Sequence, residues 1–156
     1  MKEKLASESV TIQDRLVQPG DTNHIGTVFG GNVLAYVDEV AALAAMKHSN
    51  QTVVTASFDS VDFVSPAKSG DMLHIEGVVT YTGRTSMEVY VQVTAHNILS
   101  GEAHLTAKSF VTMVAVNEEG RPVPVPKVIP QTDEEIRLYK TAPMRKEARL
   151  NRKEYQ

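Results

Sequence analysis

The sequence predicts an α+β domain in which a mostly antiparallel sheet curves around one long helix. Three observations carry that expectation. Residues 32–48 are a continuous stretch of good helix formers without proline, rich in alanine. Residues 52–116 then change period into four β-branched segments, "VVTASFDSVDFV", "DMLHIEGVVTY", "SMEVYVQVTA" and "HLTAKSFVTMVAV", separated by short Pro-Ala, Gly-Arg-Thr and Ser-Gly-Glu turns. Such turns demand antiparallel pairing, because a parallel crossover needs a much longer connection. Alternation is cleanest at 87–95. There Met87, Val89, Val91, Val93 and Ala95 share one face and Ser86, Glu88, Tyr90, Gln92 and Thr94 the other, so one face of the sheet is expected to be buried.

Taken in order, "VTIQDRLV" (10–17) reads as a first strand and "QPGDTNHIG" as an irregular loop. The helix is expected to start near Gly31 and to stop at "HSNQT", where Ser49 and Asn50 favour a turn. Ala35, Ala41, Ala42, Ala44 and Ala45 keep it slim, so a curved sheet can approach its axis closely. Beyond the strands, prolines 122, 124, 126 and 130 forbid a central strand and predict an extended tail. Thr132 then caps a C-terminal helix starting near Asp133, which Pro143 is expected to interrupt or restart.

With 156 residues, 42% of them apolar, the chain is sized for one domain over 1–156, with its core at about 8–120 and a tail at 121–156. A formal charge of −3 gives no reason to expect a nucleic-acid partner. Residues 137–153 are a local exception, with seven Lys and Arg against the single acid Glu147. There is no cysteine, which excludes disulfides, thiolate metal sites and a cysteine nucleophile. The longest apolar run is "VAALAAM" at 40–46, and "MKEKLASESV" lacks the apolar core of a secretion signal; no membrane segment and a soluble, cytoplasmic chain are therefore expected.

The chemistry concentrates between residues 21 and 45. Gly30 and Gly31 stand where loop becomes helix, so bare backbone can approach a ligand while the first-turn N–H groups lack intrahelical partners. Such donors polarise a carbonyl; the same dipeptide can equally serve as a tight turn. Asp38, two turns on, lines up with Leu34, Ala41, Ala42 and Ala45 beside an apolar stripe, which requires it to be hydrogen-bonded, protonated or facing a cleft. In a cleft it can act as general base or nucleophile, whereas Glu39 reads as a surface acid. Asn23 can orient a water or a carbonyl, or be a turn asparagine. His24 can be an acid–base group or a polar loop contact. His48, His74, His96 and His104 show no metal-ligand spacing, and no metal is expected. Arg84, Thr85 and Ser86, in the hairpin turn "GRTSMEV", offer a guanidinium with adjacent donors suited to phosphate. Lys108 and the Arg145–Arg149 cluster can add charge to the same ligand or be ordinary exposed residues.

With these residues in hand, the sequence resembles the hotdog-fold acyl-CoA thioesterases, the group that includes small bacterial acyl-CoA hydrolases and the brain-type cytosolic acyl-CoA hydrolase. The resemblance spans roughly residues 8–120. It rests on Asn23, Gly26, Gly30 and Gly31 in the pattern Asn-x-x-Gly-x-x-x-Gly-Gly, with Asp38 seven residues later, supported by "VDFVSPAKSGD" (61–71) and "GRTSMEV" (83–89). Many relatives carry His-Gly-Gly where this chain has Phe29-Gly30-Gly31, and phenylalanine there marks the small bacterial type. The resemblance implies a five- or six-stranded antiparallel sheet wrapped around the helix, dimers with active sites between protomers, and commonly a trimer of dimers. It implies hydrolysis of an acyl-CoA thioester without metal or organic cofactor. Asp38 then matches the catalytic acid and Asn23 the catalytic asparagine, contributed by different protomers. Gly30 and Gly31 match the carbonyl-polarising helix start, and Arg84, Thr85 and Ser86 a CoA contact. Two other classes stay open: a hotdog hydratase or dehydratase using His24, and a non-catalytic acyl-CoA-binding regulator.

Overall fold

The computed structural model describes residues 2–153. Strand β1 (Lys4–Leu5) and a 3-10 turn (Ala6–Ser9) lead into β2 (Thr11–Leu16). A second 3-10 turn (Pro19–Asp21) and a loop precede α1 (Gly30–Ser49). Four long strands follow, β3 (Thr52–Phe63), β4 (Met72–Thr82), β5 (Ser86–His96) and β6 (Ala103–Val116), then β7 (Val128–Ile129) and α2 (Asp133–Lys153). Five strands make one antiparallel sheet in the order β2-β4-β5-β6-β3. The hairpins β4–β5 and β5–β6 form its centre, and β3, arriving directly from α1, returns to close the edge beside β6. This is the hotdog fold, with α1 as the filling.

The helix ends where the turn residues place its end. Asn50 takes the left-handed conformation at φ 55°, which asparagine tolerates, and its N–H closes on Met46 O at 2.8 Å. The alternating face of β5 is buried as the pattern requires: Met87, Val89, Val91, Val93 and Ala95 are fully enclosed against Val37, Val40, Ala41, Ala44 and Ala45 of α1. Each such valine contributes about 1.5–3 kcal/mol on leaving water. The alanine stripe allows close approach, and β4 yields as well. A Cβ at Gly77 would stand 2.8 Å from Val40 Cγ1, so only glycine fits there without displacing the Val40 side chain.

The tail is extended: Pro122 bridges Val116, Val123 N–H and Val125 N–H bond to Ala115 O and Arg84 O (2.9 Å each), and β7 makes a two-residue parallel contact with β1. His48, fully buried at the end of α1, ties it down with an Nε2 bond of 2.7 Å to Pro126 O.

Two expectations about the C-terminus need correction. Pro143 neither interrupts nor restarts α2, which runs unbroken from Asp133 to Lys153. Side-chain bonds tie the preceding turn: Leu138 O accepts from Arg145 Nη2 (2.6 Å), and the Thr141 hydroxyl lies within reach of Arg137 O and Leu138 O. Nor are Arg145 and Arg149 free surface charge. Arg145 grips Glu88 through two bonds of 2.8 and 2.9 Å, with its guanidinium 4.1 Å above the Phe110 ring. Arg149 donates to the Thr112 hydroxyl (2.7 Å) and lies 3.8 Å from Asp59, which Arg152 also approaches at 3.4 Å. Packed against the outer sheet face, α2 thereby neutralises two acids that the sheet buries, Glu88 and Asp59.

Candidate active site

Local bonds preset the entry to α1. The loop folds back through Asn23 N–H to Thr27 O (2.7 Å), and Asp21 O accepts from both Phe29 N–H (3.1 Å) and Asn32 Nδ2 (3.1 Å). Within it, Asn23 Oδ1 accepts from the N–H groups of Ile25 (3.0 Å) and Thr27 (3.2 Å), while Nδ2 donates to Thr27 Oγ1 (2.9 Å). One Nδ2 hydrogen is left over, on an amide whose orientation is fixed. No side chain caps the helix at Phe29, whose carbonyl takes the N–H groups of Asn32 and Val33. Among the described residues the N–H groups of Gly30 and Gly31 have no partner. Two convergent donors thus stand at the positive end of a 20-residue helix.

Asp38 sits beside the apolar stripe, half-buried and facing the edge strand β3. The Thr55 hydroxyl donates to its Oδ1 at 2.6 Å. Oδ2 carries no bond among the described residues, leaving a fixed carboxylate with one free oxygen. Thr55 escaped the sequence reading, although the pattern carries it. Val53 packs against the core, so the strand period of two puts Thr55 on the same, helix-facing side. Glu39 is an exposed acid held by Gln13 Nε2 (3.0 Å), as expected.

One separation constrains the chemistry. Gly31 and Asp38 are seven residues apart on one straight helix, hence about 10 Å along its axis. A carbonyl held at the glycines and a water held by the same helix's Asp38 are therefore set two turns apart, while a general base needs to be within about 3 Å of the proton it takes.

The remaining candidates are dispersed. Arg84 is exposed at the β4–β5 turn, whose conformation is fixed by Gly83 N–H to Ser86 O (2.9 Å) and Ala115 N–H to Thr85 O (3.1 Å). Lys108 is exposed opposite Gln92, six residues along β5 from Ser86 and therefore about 20 Å away. His24 is exposed in the loop and makes no hydrogen bond among the described residues. No group of three or more His, Asp or Glu side chains among them is placed to hold a metal ion. No helix among them is long and apolar enough to cross a membrane.

A helix-cored antiparallel sheet, with free N–H donors at the helix start and a buttressed carboxylate two turns on, offers groups able to polarise a carbonyl and to activate a water. Residues 25–101 match the thioesterase superfamily. An uncharacterized acyl-CoA thioester hydrolase of Bacillus subtilis is 43% identical over 97% of this chain and 88% of its own. The crystal structure of an apo-hexameric acyl-CoA thioesterase superposes with a TM-score of 0.96 at 64% identity, over 97% of each chain. An acyl-CoA hydrolase from Staphylococcus aureus, solved with butyryl coenzyme A, coenzyme A and coenzyme A disulfide, superposes at 0.92 with 46% identity, over 98% of this chain and 93% of its own. That enzyme was also solved as single alanine variants of an aspartate, a threonine and an asparagine. The chain belongs to the thioesterase superfamily.

Proposed function

We propose that the chain is an acyl-CoA thioesterase, releasing free CoA and a carboxylic acid, with Asp38 as general base. The observation that carries the reading is the Asp38–Thr55 bond: it fixes one carboxylate oxygen and leaves the other free for a water. The three positions varied in the Staphylococcus aureus enzyme have the same residue types and the same spacing along the chain as Asn23, Asp38 and Thr55, which supports it.

In the proposed step the thioester oxygen lies at the N–H groups of Gly30 and Gly31, with the Asn23 amide helping to hold the water. Asp38 Oδ2 removes a proton as the water oxygen bonds to the carbonyl carbon, and the negative charge develops on oxygen facing the helix start. Collapse breaks the C–S bond; the CoA thiolate leaves without a dedicated acid. No metal or organic cofactor takes part. Direct attack by Asp38, giving a mixed anhydride, uses the same geometry. The helix-axis separation argues that the glycines and the acid in one site come from two protomers, and the hexameric relative supports a dimer assembled into a trimer of dimers. Arg84, Thr85 and Ser86 contact CoA, with Lys108 as a further charge. The reading includes a cytoplasmic location and no nucleic-acid or membrane partner; the formal charge of −3 gives no footprint for nucleic acid, and no helix among the described residues is long and apolar enough to cross a membrane.

The test is release of free thiol from acyl-CoAs by wild type and Asp38→Asn. Wild type turns over, and the variant loses roughly 100- to 10,000-fold in rate. An unchanged variant would remove Asp38 from the role. A change in enoyl absorbance without thiol would make the chain a hydratase, and CoA binding without either would make it a binding protein.

A further inference from the structure

A cavity of about 370 Å³ opens directly beside Gly30, walled by Val28, Val33, Phe63, Val64, Pro66 and Ala67. Most of its wall is apolar, with Thr27, Ser65 and Thr106 as the polar exceptions, which suits hydrocarbon rather than the phosphates or the polar arm of CoA. The walls are also fixed from behind by backbone and short side-chain bonds. Val28 N–H donates to Ala67 O (2.9 Å), Val64 N–H to Thr106 O (2.8 Å), and the Ser65 hydroxyl to Leu105 O (2.6 Å). Val33 and Ala67 belong to the buried core and cannot yield. Phe63 differs. It ends edge strand β3 and is 55% exposed, yet its ring stands over the helix start, with Cζ 3.3 Å from where a Cβ on Gly30 would be. Val64 beside it is equally open, at 54%, but the three atoms nearest the Cβ position on Gly30 all belong to Phe63, and a large side chain with half its surface open costs little to rotate.

On the thioesterase reading, which this inference presupposes, the carbonyl oxygen sits at the Gly30 and Gly31 N–H groups, so the acyl carbons leave the carbonyl next to this cavity. We propose that the cavity takes the acyl chain of the substrate and that Phe63 is the residue that limits its length. The substrate class is the straight-chain saturated acyl-CoA, its upper length set by how far the Phe63 ring closes the space above Gly30.

The experiment is a kcat/KM series for thiol release from unbranched acyl-CoAs of two to twelve carbons, on wild type, Phe63→Ala and Phe63→Trp. Phe63→Ala moves the optimum to longer chains, each newly accommodated methylene adding about fourfold. Phe63→Trp moves it to shorter ones. If both variants change every chain length by one common factor and leave the optimum in place, the assignment of Phe63 and the cavity is overturned. Wild type releasing no thiol at any length overturns the hydrolase reading instead. The cavity is then tested alone, by calorimetric titration of the same series into wild type and Phe63→Ala, where a chain-length dependence unaltered by the variant overturns it.

Discussion

Thr55 decides how Asp38 can act, because a carboxylate on a helix has freedom about both of its side-chain torsions and a base must hold one direction. The 2.6 Å bond from the Thr55 hydroxyl removes that freedom. A hydrogen bond to a charged group is worth about 1.5–3 kcal/mol. Thr55→Val, which keeps the shape and deletes the donor, is therefore expected to lower kcat roughly 10- to 100-fold. Thr55 is exposed at a sheet edge, so the melting temperature moves little; a large loss of stability with normal kcat would show a structural role only. A second residue-scale effect lies away from the site. His48 is enclosed, with Nε2 on Pro126 O and Nδ1 buried without a partner. Burial, the largest cause, pushes its pKa below the ordinary 6.5, the bond to Pro126 opposing it only in part. The folded chain therefore holds His48 neutral at a pH where the unfolded chain has taken up a proton. Stability is full above about pH 6.5 and falls as pH drops below it, toward the folded-state value. Melting curves from pH 7.5 to 5 on wild type and His48→Gln test this: the variant is expected to lose part of the acid-side decline, and parallel curves would rule His48 out.

At the level of elements, α2 is held by charge as well as by packing. Glu88 is almost wholly enclosed and satisfied by Arg145 and by the Thr80 hydroxyl at 2.7 Å. Replacing Arg145 by Met leaves that carboxylate without its cation, which is expected to cost about 3 kcal/mol in urea denaturation. Changing Glu88 to Met as well should recover most of the loss, since what hurts is the orphaned charge rather than the missing pair. A double variant as unstable as the single one would show that Arg145 acts through packing on Phe110. The same helix shows where the sequence is readable and where it is not. Alternation at Met87–Ala95, the alanine stripe and the Asn50 stop are local, and each residue's neighbours in sequence already determine its role. Asn23, Gly30, Gly31 and Asp38 stand out as candidates for the same reason, lying within one loop and one helix. The pairing of Glu88 with Arg145 and of Asp59 with Arg149 joins residues far apart in sequence, and nothing in either neighbourhood announces the partner. Bulges in β3 between Thr55 and Ser57 and between Phe58 and Ser60 shift strand parity, which alternation alone does not reveal. Pro143 was misjudged because a proline removes one bond of the ladder, and α2 keeps all 21 of its residues helical through it.

For the whole molecule, the question is whether one chain holds a complete site. On the proposed reading, the roughly 10 Å between Gly31 and Asp38 along α1 favours a site shared between two chains. A two-fold dimer that brought the carboxylate of one helix to the start of the other would do so twice. The consequence is measurable with two inactive variants, Asn23→Ala and Asp38→Asn. Each alone has every site broken, if Asn23 and Asp38 of a site come from different protomers. Unfolded together and refolded, half of the dimers are mixed, and each of those carries one site with both changes and one with neither. Thiol release is expected to return to roughly a quarter of wild type at equal mixing, and to follow the product of the two fractions as the ratio is varied. Mixing without refolding restores activity only as fast as protomers exchange. Were the two residues to serve a site within one chain, no mixture would regain activity, because every protomer would bring its own lesion to its own site.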